Sequence, residues 1–221
     1  MNLAIFDLDN TLIGGDSDYL WGEFLVEKNL VDAELYKREN QRFYDEYKAG
    51  TLDINEFLEF SLEPLSKHSI EQLNELHQQF MNSKITSIWL TKAEALLEKH
   101  RKQNDFLLII TATNHFVTSP IARKLGVDDI IATMPEQIDQ RYTGKVAGIP
   151  CFQQGKVERL NQWLKDKKYS LDGSYFYSDS YNDLPLLLEV SHPIAVDPDE
   201  KLQQHALENN WPVISLRDSE S

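Results

Sequence analysis

Four stretches of the chain are apolar with no helical period: Leu3-Ala4-Ile5-Phe6, Phe106-Leu107-Leu108-Ile109-Ile110, Ile130-Ile131-Ala132 and Tyr175-Phe176-Tyr177. Runs of that kind mark strands buried on both faces, as in parallel sheets. Pro193-Ile194-Ala195-Val196-Asp197 and Pro212-Val213-Ile214 read as two shorter strands. Arg141-Tyr142-Thr143-Gly144-Lys145-Val146 reads as a β excursion with a turn. Between the strands the apolar positions recur every three or four residues. They predict helices over about 91–98, over 115–125 with Gly126 closing it, over 157–166 and over 184–190. Strand alternating with helix predicts an α/β fold, a doubly wound, mostly parallel Rossmann-like sheet.

The stretch between the first and second strands breaks that alternation. Residues 14–88 carry four amphipathic patterns and nothing that suggests a strand. The first follows Asp16 or Ser17, either of which can cap it, and bears Tyr19, Leu20, Trp21, Phe24 and Leu25. The second runs from about Asp32 to Gly50. The third starts at Asp53, with Glu56 at capping-box spacing, and ends near Pro64. The fourth covers about Ser69 to Met81. The predicted organisation is an α/β core of residues 1–13 and 89–221, with residues 14–88 inserted after its first strand as an all-helical cap. Residues from about Arg217 onward are expected to fray.

Polar residues punctuate the strand ends. Asp7 and Asp9 follow the first strand at i and i+2 and so share a face. Two carboxylates side by side repel, and a metal ion or a shared proton must offset that. Thr111 ends the second strand and Asp179 ends the Tyr175-Phe176-Tyr177-Ser178 strand, with Asp183 four residues on. Ligands of open α/β sheets bind at the carboxyl ends of strands, so these residues are placed to converge. A buried carboxylate there can attack phosphorus, and a second can move the leaving-group proton. A Lys and a hydroxyl can hold phosphoryl oxygens, and further carboxylates can hold Mg²⁺. Lys156 opens a helix and is the candidate Lys, with Lys145 as its rival.

Charge and composition narrow the partners. The 221 residues carry a net charge of -14, which argues against nucleic acid as a partner. An anionic substrate therefore needs local positive charge from a metal, a Lys or helix N-termini. No apolar run reaches membrane-spanning length, so no membrane partner is expected. The single cysteine, Cys151, cannot form an internal disulfide and fits a reducing, cytoplasmic setting. It has no nearby His in sequence and is read as a small residue, not a nucleophile. The six histidines show no ligand spacing and read as surface or core residues. Oligomeric state is not legible.

With these residues in hand, the chain resembles the haloacid dehalogenase-like hydrolase superfamily. Phe6-Asp7-Leu8-Asp9-Asn10-Thr11-Leu12 matches its first motif and Ile109-Ile110-Thr111-Ala112-Thr113 its second. Lys156 sits where the third motif's Lys is expected, and Ser178-Asp179-Ser180-Tyr181-Asn182-Asp183 matches the fourth. The helical insertion is similar to that of the phosphoserine-phosphatase-like subgroup. Gly14-Gly15-Asp16-Ser17-Asp18 resembles a bacterial branch that includes histidinol-phosphate phosphatases.

The resemblance implies a Mg²⁺-dependent phosphomonoesterase that works through an aspartyl-phosphate. It implies Asp7 as nucleophile, Asp9 as acid/base, and Thr111, Ala112 and Lys156 as phosphate-binding residues. It implies Asp7, Asp9 and Asp179 as Mg²⁺ ligands, with Asp183 supporting the metal site or Lys156. Asp16 and Ser17 are candidates for contact with the substrate from the cap. The expected substrate is a small phosphorylated metabolite, with histidinol phosphate first because Asp16, Asp18 and Glu23 put acidic groups at the cap entrance, which suits an amine without a carboxylate. Phosphoserine or a broad range of small esters is the alternative. A phospho-accepting signalling domain is the non-hydrolase alternative, disfavoured by the D-x-D-x-T string and the long insertion.

Overall fold

The computed structural model describes residues 2–165 and 167–217. Seven strands form one sheet in the order β4-β3-β2-β1-β5-β6-β7. They are β1 (Leu3–Phe6), β2 (Phe106–Asn114), β3 (Asp129–Ile138), β4 (Arg141–Ala147), β5 (Tyr175–Ser178), β6 (His192–Val196) and β7 (Val213–Ile214). All pairings are parallel except β3 with β4, a hairpin at one edge. The chain leaves β1 for β2, continues outward to β4, then crosses back to place β5 on the other flank of β1. The order reverses at β1, so the crevice at its carboxyl end is the topological switch point.

Period-two alternation divides the core between two faces. Ala4 and Phe6 of β1 face one cluster, with Leu107 and Ile109 of β2. α5 (Thr91–Lys102) and α6 (His115–Leu125) cover that face. Leu3 and Ile5 face the other cluster, with Leu108 and Ile110, under α7 (Gln154–Lys165), α8 (Leu184–Leu187) and α9 (Glu200–Glu208). Every side chain of β1 is fully buried, which is why its apolar run is unbroken.

Between β1 and α5 lie the four helices expected there: α1 (Ser17–Glu27), α2 (Ala33–Ala49), α3 (Ile54–Ser66) and α4 (Ile70–Ser83). Asp16, Asp32, Asp53 and Ser69 accept hydrogen bonds from first-turn N–H groups, which fixes each start. α2 ends at Gly50, whose φ of 76° is the left-handed cap that glycine takes without strain. The reciprocal capping box belongs to Ser69 and Gln72 of α4; Asp53 caps α3 without a return bond from Glu56. Pro64 does not stop α3, because it sits in the last turn and the helix runs on to Ser66.

Other boundaries moved as well. β2 and β3 extend past the apolar cores of their runs, to Asn114 and Ile138: β2 continues through buried polar residues, Thr111, Thr113 and Asn114, and β3 continues as a mostly exposed arm paired with β4. The helix expected over 184–190 closes after Leu187, and α9 was not anticipated. Arg217 is not frayed: its guanidinium donates to the carbonyls of Gly14 and Asn10. Residues 218–221, and Asp166 at the expected end of α7, lie outside the described residues. Among the described residues no helix is long and apolar enough to cross a membrane.

Candidate active site

The switch-point crevice is built by the turn that follows β1. The Asp7 N–H donates to the Tyr177 carbonyl at 2.9 Å, carrying the β1–β5 ladder one residue beyond the strand. Asn10 then takes φ 57°, a left-handed conformation that Asn tolerates better than most residues. The chain doubles back, with Leu12 N–H donating to the Leu8 carbonyl and Asn10 N–H to that of Gly15. The hairpin-like loop sets the Asp9 side chain against the start of α1. Asp9 Oδ1 accepts the Ser17 N–H at 2.6 Å, one of the donors a helix N-terminus leaves unpaired. Its Oδ2 accepts from Thr113 Oγ1 at 2.8 Å and from Thr111 Oγ1 at 3.4 Å. Burial raises the Asp9 pKa above the ordinary carboxylate value, although the Ser17 and Thr113 hydrogen bonds work the other way.

Lys156, in the first turn of α7, is 1% exposed. Its Nζ lies 2.8 Å from Asp7 Oδ1 and 2.7 Å from Asp183 Oδ1. Asp183 also accepts from Ser178 Oγ at 2.7 Å. The ammonium is held charged: burial opposes this, but Asp183 and Asp7 raise its pKa on balance. Thr11 Oγ1 donates to Asp179 Oδ1 at 3.2 Å and accepts the Asp179 N–H at 3.1 Å.

One cation does not neutralise this group. Burial pushes the Asp7 pKa up to about 7; Lys156 opposes the rise, and Asp183 and Asp9 add to it. Asp179 is raised by burial and then by the nearby Asp7 and Asp183. Carboxylates crowded beyond the charge of Lys156 are the donor set a hard divalent cation relieves. Asp7 Oδ2 and Asp179 Oδ2 accept no hydrogen bond among the described residues, which leaves an oxygen of each for such a cation. No trio of His, Cys, Asp or Glu side chains among the described residues forms a protein-only cage. Mg²⁺ does not require one, since it retains several waters.

Above this floor is a narrow cleft of about 50 Å³. Asp7, Asp9, Thr111, Ala112 and Thr113 form its base; Asp16, Asp18, Asn40 and aromatic side chains of α1, α2 and α3 form its walls. Tyr19 and Tyr44 lie 5.2 Å apart, ring centroid to centroid, and Phe43 and Phe57 5.3 Å. Across from α2, Phe152 meets Tyr47 at 6.0 Å. No Lys, Arg or His lines the cleft among the described residues.

Asp16 and Asp18 differ in how they are used. Asp16 caps α1, accepting from the N–H groups of Asp18 and Tyr19 at 2.9 Å. Burial and the charge of Asp9 push its pKa up to about 7. Asp18 is 8% exposed, and its fully buried Oδ2 has no hydrogen-bond partner. Burial raises its pKa well above the usual range, and Asp16 and Asp9 add to the rise. A first-turn acid gains about 0.3–1 kcal/mol from the helix dipole. Taking a carboxylate out of water costs several kcal/mol, so the dipole does not account for a buried Asp there.

The structure thus brings Asp7, Asp9, Thr111, Ala112, Lys156, Asp179 and Asp183 to one place. Asp183 is on Lys156, the second of its two expected positions. Lys145 is exposed on β4 and is no rival. Asp16 reaches the cleft; Ser17 meets the site through its backbone N–H on Asp9, while its Oγ is buried without a partner. Cys151 is buried, which pushes its thiol up to about 12 and makes it a poor nucleophile. Three contributors were not foreseen: Thr11, Thr113 and the aromatic wall. Thr113 was findable, since it stands at i+2 from Thr111 and shares its face.

This fold and site define a phosphoric monoester hydrolase. The haloacid dehalogenase-like hydrolase family model matches residues 4–188, and the chain belongs to that family. It is 45% identical over 220 residues to a histidinol-phosphatase of Neisseria meningitidis serogroup C, covering 98% of this chain and 99% of that protein. A crystal structure of a protein of unknown function from Bordetella pertussis Tohama I superposes with a TM-score of 0.91 at 42% identity, over 98% of this chain and 99% of the other. A phosphoserine phosphatase structure holding a phospho-aspartyl intermediate analogue has a TM-score of 0.68 at 20% identity, over 99% and 94% of the two chains, a likeness of fold.

Proposed function

We propose that the chain is a Mg²⁺-dependent phosphatase acting on L-histidinol phosphate. The observation that carries the substrate is the cleft wall, which offers carboxylates and aromatic rings and no basic side chain among the described residues. A cationic leaving group suits such a wall, and one bearing a carboxylate meets repulsion with no counter-charge. The 45% identity to a histidinol-phosphatase over nearly the full length of both proteins supports the same choice.

In the proposed reaction an Asp7 carboxylate oxygen attacks phosphorus as the bond to the leaving alcohol oxygen breaks. Asp9, whose pKa burial raises and whose protonated form burial therefore favours, gives a proton to that oxygen. It then takes a proton from the water that attacks phosphorus and frees Asp7. Lys156, Thr111 and Ala112 hold the phosphoryl oxygens, and Asp183 orients Lys156. Asp7, the Asp9 carbonyl and Asp179 are the groups that would hold Mg²⁺, which when bound offsets charge on those oxygens. Residues 14–88 act as a cap over residues 1–13 and 89–221, presenting the wall to the leaving group and excluding water.

The test is phosphate release by the purified protein from histidinol phosphate, phosphoserine and p-nitrophenyl phosphate, in Mg²⁺ and in EDTA. The expected result is Mg²⁺-dependent release with histidinol phosphate preferred. Equal rates on all three would remove the substrate assignment and keep the class. Asp7→Asn should abolish release, and retained turnover would sink the mechanism.

A further inference from the structure

The turn after β1 is tied down by the segment that follows β7. Residues 10–16 carry the chain from Asp9 to α1. Two carbonyls of this loop, those of Asn10 and Gly14, accept from a single side chain among the described residues. Arg217 Nη1 donates to the Gly14 carbonyl at 3.1 Å and Nη2 to the Asn10 carbonyl at 3.4 Å. A guanidinium presents its N–H groups in a rigid fork, so it can span two fixed acceptors at once. Arg217 is itself held in place. Lys92 Nζ of α5 donates to its carbonyl at 2.6 Å, and Asp197 Oδ2 accepts the Leu216 N–H at 2.9 Å. Gly14 is also where the helical insertion begins. Its N–H donates to the Ile88 carbonyl at 2.7 Å, and Ile13 pairs with Trp89 on the return.

We infer that Arg217 is a positioning residue for Asp9. Asp9 stands immediately before Asn10, and its Oδ1 accepts the Ser17 N–H at 2.6 Å. Residues 10–16 therefore set the separation between the backbone of the acid and the helix start that holds its carboxyl. The Asn10 N–H closes this loop once, on the Gly15 carbonyl at 3.0 Å. Arg217 closes it a second time, across Asn10 and Gly14, and fastens it to the core. Without that fork the loop gains freedom, and a proton donor displaced by a fraction of an ångström loses rate. The Arg217 side chain is 40% exposed, so water can replace it and the fold should survive its loss. The inference rests on the phosphatase reading, in which Asp9 protonates the leaving oxygen, and adds a residue to that machinery.

The experiment compares kcat/KM for histidinol phosphate and p-nitrophenyl phosphate in the wild-type protein, Arg217→Ala and Arg217→Lys, in Mg²⁺, with a melting curve for each. The two esters separate positioning from stability alone. The alkoxide of histidinol needs a proton as it leaves, whereas nitrophenolate leaves without one, so a displaced Asp9 harms the first ester more. The expected result for Arg217→Ala is a fall of about tenfold in kcat/KM for histidinol phosphate and of less than about threefold for p-nitrophenyl phosphate. Arg217→Lys, which keeps the charge and can reach one carbonyl, should fall between wild type and Arg217→Ala. If Arg217→Ala does not fold, Arg217→Lys carries the comparison, with the same divergence at smaller size. If the wild-type protein leaves p-nitrophenyl phosphate untouched, acetyl phosphate, whose leaving group also departs without a proton, takes its place. Equal losses on both esters, or no loss on either, overturn the inference and reduce Arg217 to a structural tie. Release of no phosphate from any ester by the wild-type protein would instead overturn the phosphatase reading, and the inference with it.

Discussion

Lys156→Ala is the substitution whose cost follows most directly from the geometry. The ammonium is 1% exposed and sits between Asp7 at 2.8 Å and Asp183 at 2.7 Å. Removing it strands two buried carboxylates that already repel each other. Breaking a buried ion pair from one side costs about 3–5 kcal/mol. For a chain of this length that corresponds to a fall in Tm of roughly 6–20 °C.

The cost should depend on pH, and its sign is fixed. Lys156 now lowers the Asp7 pKa, which stands at about 7; without it that pKa rises further. The folded variant then binds a proton that the unfolded chain does not, so its stability is lost as pH rises through the folded pKa. The penalty should be near its full size at pH 8 and smaller at pH 6, by up to about 1.4 kcal/mol per proton per pH unit. The assay is thermal unfolding of both proteins in EDTA at the two pH values. A variant melting within about 2 °C of wild type at pH 8 would refute the reasoning, because the carboxylates would then not depend on Lys156.

Other expectations follow from neighbouring contacts. Asp7, with its pKa raised to about 7, binds a proton in the metal-free folded protein that the unfolded chain has lost, and the stability this proton gives is lost as pH climbs through about 7; Asp9 and Asp179 are raised in the same direction, so Mg²⁺ should raise Tm more at pH 8 than at pH 6. Equal Mg²⁺ shifts at both would contradict the assigned ligands. Thr113→Val removes a hydrogen bond that lowers the Asp9 pKa, so the alkaline limb of the kcat profile should move to higher pH. An unmoved limb would take Asp9 out of the acid role. Asn182 Nδ2 donates to the Tyr47 carbonyl at 2.9 Å near the end of α2, and its Oδ1 accepts from Gln153 Nε2 at 3.1 Å. If residues 14–88 close as a cap, Asn182→Ala loosens the closed form and kcat/KM falls roughly two- to tenfold, the worth of one hydrogen bond. Unchanged kinetics would argue that this contact is incidental.

Much of this was legible in the sequence because it is written in local signals. The β1 run, the D-x-D turn and the Asp179–Asp183 pair each lie within a few residues, and strand ends in a parallel sheet share one rim. What was missed depends on distance in the chain. The aromatic wall gathers Tyr19, Tyr44 and Phe152 from separate elements, and each aromatic reads locally as core. Asp18 is legible, with Asp16 and Glu23, as an acid at the mouth, but its burial is not, and Glu23 does not line the cleft. Arg217 looks like a frayed terminus until its contacts with Gly14 and Asn10, on the loop after β1, are seen. α9 was overlooked because its buried pair, Leu202 and Ala206, makes a weak stripe among polar residues.

The central claim is that Asp7 itself carries the phosphoryl group. The direct measurement is rapid acid quench of the protein during turnover with histidinol phosphate, followed by borohydride reduction and peptide mass spectrometry. The account requires that the peptide containing Phe6-Asp7-Leu8-Asp9 be reduced at Asp7 alone, in substrate- and Mg²⁺-dependent fashion, with Asp7→Asn unlabelled. Label on Asp9, on Asp179 or on no residue at a quench time that catches turnover would contradict it.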